Sequence, residues 1–377
     1  MRIFADENMP FVQQFFSHLG PVTLFDGRRV QAEQLTDADV LLVRSVTPVN
    51  QALLQANAHL NFVGTATIGL DHIDQAYLSQ RQIPYTNAPG CNAQSVVEYV
   101  LSSIWFLGQR YQWQLSDKTI AIVGVGNIGS RLAKALKILG AKVLLCDPIR
   151  QQQETDFPHT TFTTICREAD IISFHTPLQT QGEHATKYLL NKHTLAKLKP
   201  DCAIINAARG AIIDNRALLA EVETMAKVGN KRPVVLDVWE NEPTILTALL
   251  PYVDIATAHI AGHSIEGKAR GTEMLYLSLC KQLNIVPKHQ LAQFLAPPII
   301  EKVQINENFG LPDVQSLARL LYDVSRDDAI LRYALATKGF DWIRKSYPAR
   351  REFSSLQLSG PAVPIWLLQL GFSLEQE

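Results

Sequence analysis

The first ninety residues alternate short apolar runs with amphipathic segments. Apolar runs at 2–6, 40–44, 61–64 and 83–86 predict strands, and the segments at 50–56 and 72–80 between them predict helices. Alternation of strands with helices is typical of a parallel sheet that is covered by helices. The turn-forming sequence at 87–92 ends this first α/β unit.

A second alternating series follows a long predicted helix at 93–112. Its apolar runs lie at 119–124, 142–147, 170–175, 202–208, 232–238 and 253–259, and helices are predicted at 130–139, 194–198 and 216–226. The runs are rich in Val and Ile at both odd and even positions, which is expected for strands with helices on both faces. The chain therefore contains two α/β units in series.

The rest of the chain predicts a third, smaller domain. A helix is predicted at 265–283, and it would pack on the first unit if the chain crosses back. Pro297 and Pro298 mark a boundary, and the following eighty residues hold a predicted helix at 314–324 and an apolar stretch at 365–372. The predicted fold class is α/β, with two Rossmann-like doubly wound parallel-sheet domains and a small α+β C-terminal domain.

Charge and composition narrow the classes of partner. The 377 residues carry 35 Lys and Arg against 36 Asp and Glu, a net charge of -1, so no broad basic field is available for duplex nucleic acid. No apolar run approaches the roughly 18 residues of a membrane span, and the first residues do not resemble a signal peptide. The five cysteines form no CxxC pair, which predicts no metal site and a cytosolic protein with reduced thiols.

A dinucleotide fingerprint opens the second unit. The sequence GVGNIG at 124–129 directly follows an apolar run and begins a helical segment, and Asp147 ends the next strand 18 residues after the motif. The predicted cofactor ligands here are Gly124, Gly126, Asn127, Ile128, Gly129 and Asp147. The helix N-terminus would bind the pyrophosphate, and the carboxylate would accept hydrogen bonds from the adenosine ribose and repel a 2′-phosphate. The pattern therefore favours NAD over NADP.

Three polar residues follow strands of the second unit. Arg209, Glu242 and His259 come after the apolar runs at 203–205, 234–236 and 253–257. Ligands of doubly wound sheets bind at the carboxyl ends of the strands, so we expect the three side chains at one edge. Glu240 is the alternative to Glu242, which is preferred because it immediately precedes Pro243.

Residues of these three types match the oxidation of a 2-hydroxy acid. A neutral imidazole can take the hydroxyl proton while a hydride leaves the carbon atom. A carboxylate beside the imidazole orients it and stabilises its charged form. A guanidinium can bind the substrate carboxylate and polarise the reacting carbonyl. The predicted catalytic set is therefore His259, Glu242 and Arg209.

Five motifs together resemble the D-2-hydroxyacid dehydrogenase family. They are GVGNIG at 124–129, HTPL at 175–178, NAARGAIID at 206–214, DVWENEP at 237–243 and HIAG at 259–262, and the resemblance covers about residues 1–285. It implies an NAD domain inserted into a substrate domain, with the same catalytic set. It also implies that Thr176, Ala207, Ala208, Asp237 and Gly262 line the cofactor.

This resemblance gives the expected domain bounds. The substrate domain would span 1–94 and 263–285, the NAD domain 95–262, and the C-terminal domain 286–377. Segments at 6–10, 43–47, 64–69, 88–92, 267–271, 322–328 and 349–355 resemble a branch of the family whose substrate is a phosphorylated four-carbon hydroxy acid. In that branch the C-terminal domain is a dimerisation module, which implies a homodimer. The basic pair Arg350 and Arg351 would then approach a neighbouring subunit's cleft and its substrate phosphate.

Four residues are candidates for substrate binding. Arg44, Ser45 and Thr67 lie at predicted strand ends of the first unit, where they could hold carboxylate and phosphate oxygens. The alternative is that they are turn and cap residues. His263 stands where the branch has a tyrosine that touches substrate, which leaves that contact open. Two other functions also stay open: a phosphoglycerate dehydrogenase, and an NAD-sensing corepressor that binds the cofactor without turnover.

Overall fold

The apolar runs form the strands, within one to three residues of the predicted ends. The computed structural model describes residues 1–375. The strands in chain order are β1 (Ile3–Asp6), β2 (Val22–Phe25), β3 (Val40–Val43), β4 (Phe62–Thr65), β5 (Tyr85–Thr86), β6 (Thr119–Val123), β7 (Lys142–Cys146), β8 (Ile171–Phe174), β9 (Ala203–Asn206), β10 (Val234–Leu236), β11 (Ile255–Ala256), β12 (Lys302–Gln304), β13 (Gln357–Ser359) and β14 (Ser373–Leu374).

The helices connect these strands. In chain order they are α1 (Val12–Phe16), α2 (Gln51–Leu54), α3 (Gln75–Gln80), α4 (Ala93–Tyr111), α5 (Asn127–Ile138), α6 (Pro148–Gln153), α7 (Phe162–Glu168), α8 (Lys192–Leu195), α9 (Asn215–Lys227), α10 (Ile265–Gln282), α11 (Val314–Arg319), α12 (Val324–Lys338), α13 (Phe340–Lys345) and α14 (Ile365–Leu370). None of the helices in residues 1–375 is long and apolar enough to cross a membrane.

The chain divides into two units. The first consists of Met1–Asn92 and Ser264–Pro297, and the second consists of Ala93–His263 and the chain from Pro298 onward. The boundary between Pro297 and Pro298 lies at the predicted proline pair. The structure groups the C-terminal segment with the second unit, and the division into three domains stays a prediction.

The first unit is a parallel sheet with helices on both faces. Its strand order is β2-β1-β3-β4-β5, the order of flavodoxin-like folds. Because side chains alternate along a strand, Val40 and Leu42 pack towards α1 and α10, whereas Leu41 and Val43 pack towards α2 and α3. Sequence analysis missed β2, an edge strand in which Thr23 and Leu24 are exposed.

The second unit contains a six-stranded parallel sheet in the order β11-β10-β9-β8-β6-β7. An isolated parallel bridge between Leu145 and His159 adds one residue pair outside β7. With that bridge counted as a reduced strand, the order around β6 is that of a Rossmann fold. Ile120 and Ile122 face α4 and α5, and the alternate residues of β6 face α7 and α9. The predicted fold class is confirmed.

The carboxyl end of β6 is a topological switch point. β6 pairs with β7 on one side and with β8 on the other, so the connections that leave these strands diverge there. Doubly wound sheets bind ligands in the crevice at such a point. The glycine motif at 124–129 lies directly at it.

The C-terminal segment has a parallel sheet of its own, β12-β13-β14, yet it shares its core with the rest of the second unit. Leu317 of α11, Val324 of α12 and Phe353 belong to the same cluster of buried residues as Val100 of α4. The prediction of one helix at 314–324 is wrong. The helix stops at Arg319, and a new one begins at Val324, because the Asp323 side chain accepts a hydrogen bond from the Ser325 amide and caps α12.

Truncation of Leu317 tests this shared core. Leu317 is 3% exposed, so we expect Leu317→Ala to lower the free energy of unfolding by about 2–5 kcal/mol. Leu320 lies one turn later and is 49% exposed, so Leu320→Ala is the matched control, with an expected loss under about 1 kcal/mol. Urea denaturation followed by tryptophan fluorescence measures both. Equal losses in the two variants would show that α11 is not part of the core.

Candidate active site

Each glycine of the motif at 124–129 has a different steric environment, which explains why a side chain is absent there. Gly124 has φ +90°, and a Cβ there would lie 2.7 Å from the Thr176 nitrogen, so the turn passes close to the end of β8. A Cβ on Gly129 would lie 2.1 Å from the Gly124 carbonyl oxygen, which fixes how closely α5 approaches the loop. A Cβ on Gly126 would meet no atom within 4 Å. The space above Gly126 is therefore open to a pyrophosphate.

The start of α5 and the end of β7 complete this loop. Asn127 is exposed and Ile128 is half-buried at the first turn of α5, where backbone N–H groups have no partner in the helix. The Asp147 carboxylate accepts hydrogen bonds from the Val125 amide at 2.8 Å and from the Arg150 amide at 3.0 Å. Asp147 is half-buried, so its carboxylate orders the glycine loop and keeps part of its surface accessible.

β8 ends in two polar residues whose side chains point inward. The Thr176 hydroxyl oxygen is buried and has no hydrogen-bond partner within residues 1–375. His175 Nε2 lies 2.8 Å from the Ser173 hydroxyl. Burial lowers the pKa of His175 to about 3, which keeps this imidazole neutral at physiological pH. Sequence analysis did not single out His175, since nothing in the pattern separates it from the surrounding motif.

An asparagine holds the loop that carries Arg209. Asn206 is buried at the end of β9, its Oδ1 accepts from the Ala208 amide at 3.1 Å, and its Nδ2 donates to the Arg209 carbonyl at 3.0 Å. Ala207 lies between them and is 9% exposed. The half-buried Arg209 guanidinium donates to the Ala208 carbonyl at 2.8 Å. Sequence analysis missed Asn206, although a polar residue at the end of a buried strand is an available pattern.

The loops after β9 and β10 are locked together. A Cβ on Gly210 would lie 1.9 Å from the Trp239 carbonyl oxygen, so no larger residue fits between them. The Glu240 carboxylate accepts from the Asn215 amide at 2.8 Å and from the Tyr188 hydroxyl at 2.7 Å. Glu240 is thus attached to the start of α9 and to the Tyr188 loop, and each of its two oxygens accepts one of these hydrogen bonds.

Glu242 is the carboxylate beside the imidazole. Its Oε2 lies 2.8 Å from His259 Nδ1, and its Oε1 accepts from the Trp239 amide at 2.8 Å. Burial raises the pKa of Glu242, but the hydrogen bond and charge of His259 outweigh burial, and the net shift is downward. Glu242 is therefore ionised at neutral pH.

A second buried carboxylate shapes the loop that carries His259. Asp237 is 1% exposed and accepts from the amides of Ile260 and Ala261, at 2.8 and 3.0 Å, and from the Thr257 hydroxyl at 2.6 Å. Burial raises the pKa of Asp237, against the lowering by these donors and by the His259 charge. His259 itself has φ +56°, a left-handed backbone that a histidine adopts only under local constraint. With Nδ1 bound to Glu242, Nε2 is the ring nitrogen that does not take part in this pair.

The neighbouring residues Gly262 and His263 end this loop. Gly262 is half-buried, and the His263 amide donates to the Ile260 carbonyl at 2.8 Å. The His263 ring packs edge-on against Tyr347, with ring centroids 5.9 Å apart and an interplanar angle of 71°.

The predicted substrate ligands of the first unit lie at adjacent strand ends. Arg44 and Ser45 follow β3, Thr67 follows β4, and the two strands pair with Val43 opposite Thr65. The Thr67 hydroxyl lies 2.8 Å from the Thr65 hydroxyl and donates to the Gly69 carbonyl at 3.1 Å. The structure therefore brings the three residues to one edge of this sheet.

Arg350 is not where sequence analysis expected it. It is 1% exposed, and its guanidinium donates to the Ala261 carbonyl at 3.0 Å and to the Ser95 carbonyl at 2.6 Å. The expectation that Arg350 reaches a neighbouring subunit's phosphate is wrong, because the guanidinium is buried and engaged within its own unit. The contact expected of Arg351 stays a prediction.

The comparisons with family models agree with this geometry. Residues 92–261 match the model described as "D-isomer specific 2-hydroxyacid dehydrogenase, NAD binding domain". Residues 294–371 match a model described as "Domain of unknown function (DUF3410)". In residues 1–375 no group of three or more His, Cys, Asp or Glu side chains could hold a metal ion.

Relatives of nearly the same length carry one name. The erythronate-4-phosphate dehydrogenase of Pseudoalteromonas translucida is 48% identical over 99% of this chain and 100% of its own. That of Klebsiella pneumoniae is 46% identical over 99% of this chain and 98% of its own.

Solved structures share the fold at lower identity. D-lactate dehydrogenase from Aquifex aeolicus, complexed with NAD and lactic acid, has a TM-score of 0.61 and 23% identity over 75% of this chain and 96% of its own. The NAD+-bound 3-phosphoglycerate dehydrogenase of Entamoeba histolytica has a TM-score of 0.63 and 22% identity over 78% of this chain and 99% of its own.

Two glycine substitutions separate cofactor binding from folding. We expect Gly126→Ala to leave the thermal midpoint unchanged and to weaken NAD binding at least about tenfold, because its methyl group enters only the open space. We expect Gly129→Ala to lower the free energy of unfolding by about 1–3 kcal/mol, because its methyl group meets the Gly124 carbonyl. Thermal melts without cofactor and fluorescence titration with NAD measure the two effects. Unchanged NAD affinity in Gly126→Ala would place the pyrophosphate elsewhere.

Proposed function

The chain belongs to the erythronate-4-phosphate dehydrogenase family of D-isomer specific 2-hydroxyacid dehydrogenases, and on that premise we propose its substrate and catalytic residues. The chain is an NAD-dependent dehydrogenase of a CH–OH group. It oxidises 4-phospho-D-erythronate to (R)-3-hydroxy-2-oxo-4-phosphobutanoate, a step in the biosynthesis of pyridoxal 5′-phosphate. The observation that carries the assignment of the catalytic residues is the His259–Glu242 pair at 2.8 Å.

His259 is the proton acceptor in this proposal. NAD, when bound, accepts the hydride from C2 of the substrate. Nε2 of His259 takes the proton of the C2 hydroxyl, and the imidazolium that forms is stabilised by the ionised Glu242. The Trp239 amide holds the other oxygen of Glu242, so the carboxylate keeps its orientation as the charge moves.

Arg209 binds the substrate carboxylate. Its planar fork matches two carboxylate oxygens, and its charge polarises the carbonyl as that group forms. The Asn206 contacts fix the backbone on both sides of Arg209, which positions the guanidinium.

The cofactor assignment follows from Gly126, the start of α5 and Asp147. The open space above Gly126 admits a pyrophosphate, and the free amides of α5 face it. The Asp147 carboxylate favours ribose hydroxyls and repels a 2′-phosphate, which selects NAD. Thr176, Ala207, Ala208, Asp237 and Gly262 complete the proposed lining of the cofactor site.

The substrate phosphate and hydroxyls are assigned to Arg44, Ser45, Thr67 and His263. Hydroxyl and guanidinium donors at the ends of β3 and β4 suit phosphate and carboxylate oxygens. His263 can donate a hydrogen bond where the relatives' branch is expected to use a tyrosine.

One assay tests the substrate. NADH formation is followed at 340 nm with 4-phospho-D-erythronate, 3-phosphoglycerate and D-lactate in parallel. We expect the highest kcat/KM with 4-phospho-D-erythronate. Preference for 3-phosphoglycerate would make the chain a phosphoglycerate dehydrogenase, and NAD binding without turnover of any acid would favour a cofactor-sensing role.

Substitutions of the acid–base pair test the mechanism. We expect His259→Gln to reduce kcat by about 10²–10⁴-fold while NAD still binds, because the proton acceptor is lost. Glu242→Gln should also reduce kcat, since the imidazolium loses its counter-charge. Glu240→Gln is the matched control and should retain near-normal kcat, because Glu240 binds Asn215 and Tyr188 instead. A larger loss in Glu240→Gln than in Glu242→Gln would reverse the assignment.

We also propose that the chain is a homodimer joined through its C-terminal segment. Large apolar side chains are exposed there, including Tyr333 at 89%, Trp342 at 46% and Ile365 at 71%. Light scattering should give twice the monomer mass, and Ile365→Asp should shift the equilibrium towards monomer. Surface substitution is preferred to truncation because the segment is also part of the core. A full-length monomer at micromolar concentration would contradict the dimer.

A cytosolic location is part of the same proposal. All five cysteines are free and buried, as expected for a protein of a reducing compartment.

A further inference from the structure

The C-terminal segment contacts the loop that carries His259 at two positions. Arg350 donates to the carbonyl of Ala261, two residues after His259, at 3.0 Å. The Tyr347 ring packs against His263. Residues about ninety positions later in the chain therefore hold this loop at Ala261 and at His263.

The Arg350 guanidinium is itself fixed on several sides. Its second terminal nitrogen donates to the Ser95 carbonyl of α4 at 2.6 Å. Its central carbon lies 3.6 Å from the centroid of the Tyr322 ring, and a terminal nitrogen lies 3.8 Å from Glu98 Oε2. A planar fork can join two carbonyl groups at once, which a lysine ammonium on a flexible stem cannot do with the same geometry. Arg350 thereby connects α4 to the His259 loop.

The two sides of the loop have complementary supports. On one side, the amides of Ile260 and Ala261 donate to the buried Asp237 carboxylate. On the other side, the carbonyl of Ala261 accepts from Arg350. The amide and the carbonyl of Ala261 are thus bound to two different buried side chains, and rotation of this part of the backbone would break one bond or the other.

The same segment also holds the chain that leads into the loop. Asp328 of α12 accepts from the Ala256 amide at 2.7 Å. Arg332 donates to the Val253 carbonyl at 2.7 Å. Arg344 of α13 adds a positive charge that contributes to lowering the pKa of Glu242. Besides its packing on α4, the C-terminal segment therefore binds the backbone of β11 and of the chain just before it, and it adds a charge that acts on Glu242.

We propose that the C-terminal segment positions the loop that carries His259 for hydride transfer. Arg350 is the positioning residue, because it binds the backbone of this loop at Ala261. Arg350 is buried and acts through the Ala261 backbone. The inference rests on the proposed function for its kinetic consequence, and on the structure alone for its effect on the loop.

Arg350→Lys is the principal test, because it keeps the charge and removes the fork. Arg319→Lys is its control: Arg319 belongs to the same segment, is 39% exposed and forms a surface ion pair with Asp323. The variants are compared in kcat per NAD-binding site, in the Kd for NAD and in amide hydrogen exchange of residues 260–263. Counting NAD-binding sites corrects for any fraction of the protein that fails to fold.

We expect kcat per site to fall at least about tenfold in Arg350→Lys, with the Kd for NAD changed less than about threefold. Amides 260–263 should exchange faster in this variant, and Arg319→Lys should match the wild type in every measurement. A lower thermal midpoint with unchanged kcat per site and unchanged exchange would make Arg350 a purely structural residue and overturn the proposal.

Two further measurements test the proposal even if Arg350→Lys does not fold. Tyr347→Leu removes the ring beside His263 and should lower kcat per site, whereas Tyr347→Phe keeps the ring and should lower it less; equal values in the two would count against the second contact. In the wild type, amides 260 and 261 should exchange far more slowly than those of the exposed segment 284–289, and equal rates would refute a held loop. The exchange experiments use no substrate, so an altered loop in a protein that does not oxidise 4-phospho-D-erythronate would reject the function and keep the positioning role.

Discussion

The buried carboxylate of Asp237 is the constraint on which the rest of the site depends. A carboxylate that is 1% exposed is tolerated only if hydrogen-bond donors replace the water it has lost. Its donors are the Thr257 hydroxyl and the amides of Ile260 and Ala261, which flank His259 in sequence. Satisfying the hydrogen-bonding capacity of that one side chain therefore fixes the backbone on both sides of the imidazole, including its left-handed conformation. The position of Nε2 is a consequence of this requirement.

The loops after β9 and β10 are fixed by close backbone packing, whereas the loop that carries His259 is fixed by hydrogen bonds to buried Asp237. Gly210 touches the Trp239 carbonyl so closely that the loops after β9 and β10 cannot move independently. Arg209 precedes Gly210, and the Trp239 amide binds Glu242. The contact between the Gly210 and Trp239 backbones therefore helps to fix where the Arg209 guanidinium lies relative to the Glu242 carboxylate. Groups that must act on one substrate within a few tenths of an ångström need such support, which long side chains cannot supply by themselves.

The sequence predicts those parts of this arrangement that depend on local pattern. Central strands with buried faces, the glycine motif and the strand-end residues all have a local pattern. The Glu240 and Glu242 alternatives differ by two positions, and their different partners, Asn215 and His259, are far away in sequence. Proximity to Pro243 favours Glu242 but does not describe those contacts.

The features that sequence analysis missed either leave a weak local pattern or depend on contacts between residues that are distant in sequence. β2 is a half-exposed edge strand whose pattern is weak, and the break between α11 and α12 depends on one capping side chain. The burial of Arg350 is the clearest example of a feature that the sequence does not predict, since a basic residue is ordinarily exposed. Its burial follows from carbonyl groups at positions 95 and 261, which no local window contains.

The charge balance around Arg350 explains how a guanidinium can be buried there and still bind backbone carbonyls. Burial and the charge of the neighbouring Glu352 raise the pKa of Glu98, whereas Arg350 and the hydrogen bonds from Phe353 and Gln94 lower it, and the net result is a pKa of about 8. Glu98 is therefore mostly protonated at neutral pH. An acid whose folded pKa is raised favours folding fully below its unfolded pKa, and this contribution is lost as the pH rises from about 4.5 towards 8.

At neutral pH the guanidinium is not drawn into a close pair with Glu98, from which it stands 3.8 Å away, and its N–H groups remain directed at Ser95 and Ala261. The buried acid thus leaves the arginine to hold the backbone of the catalytic loop.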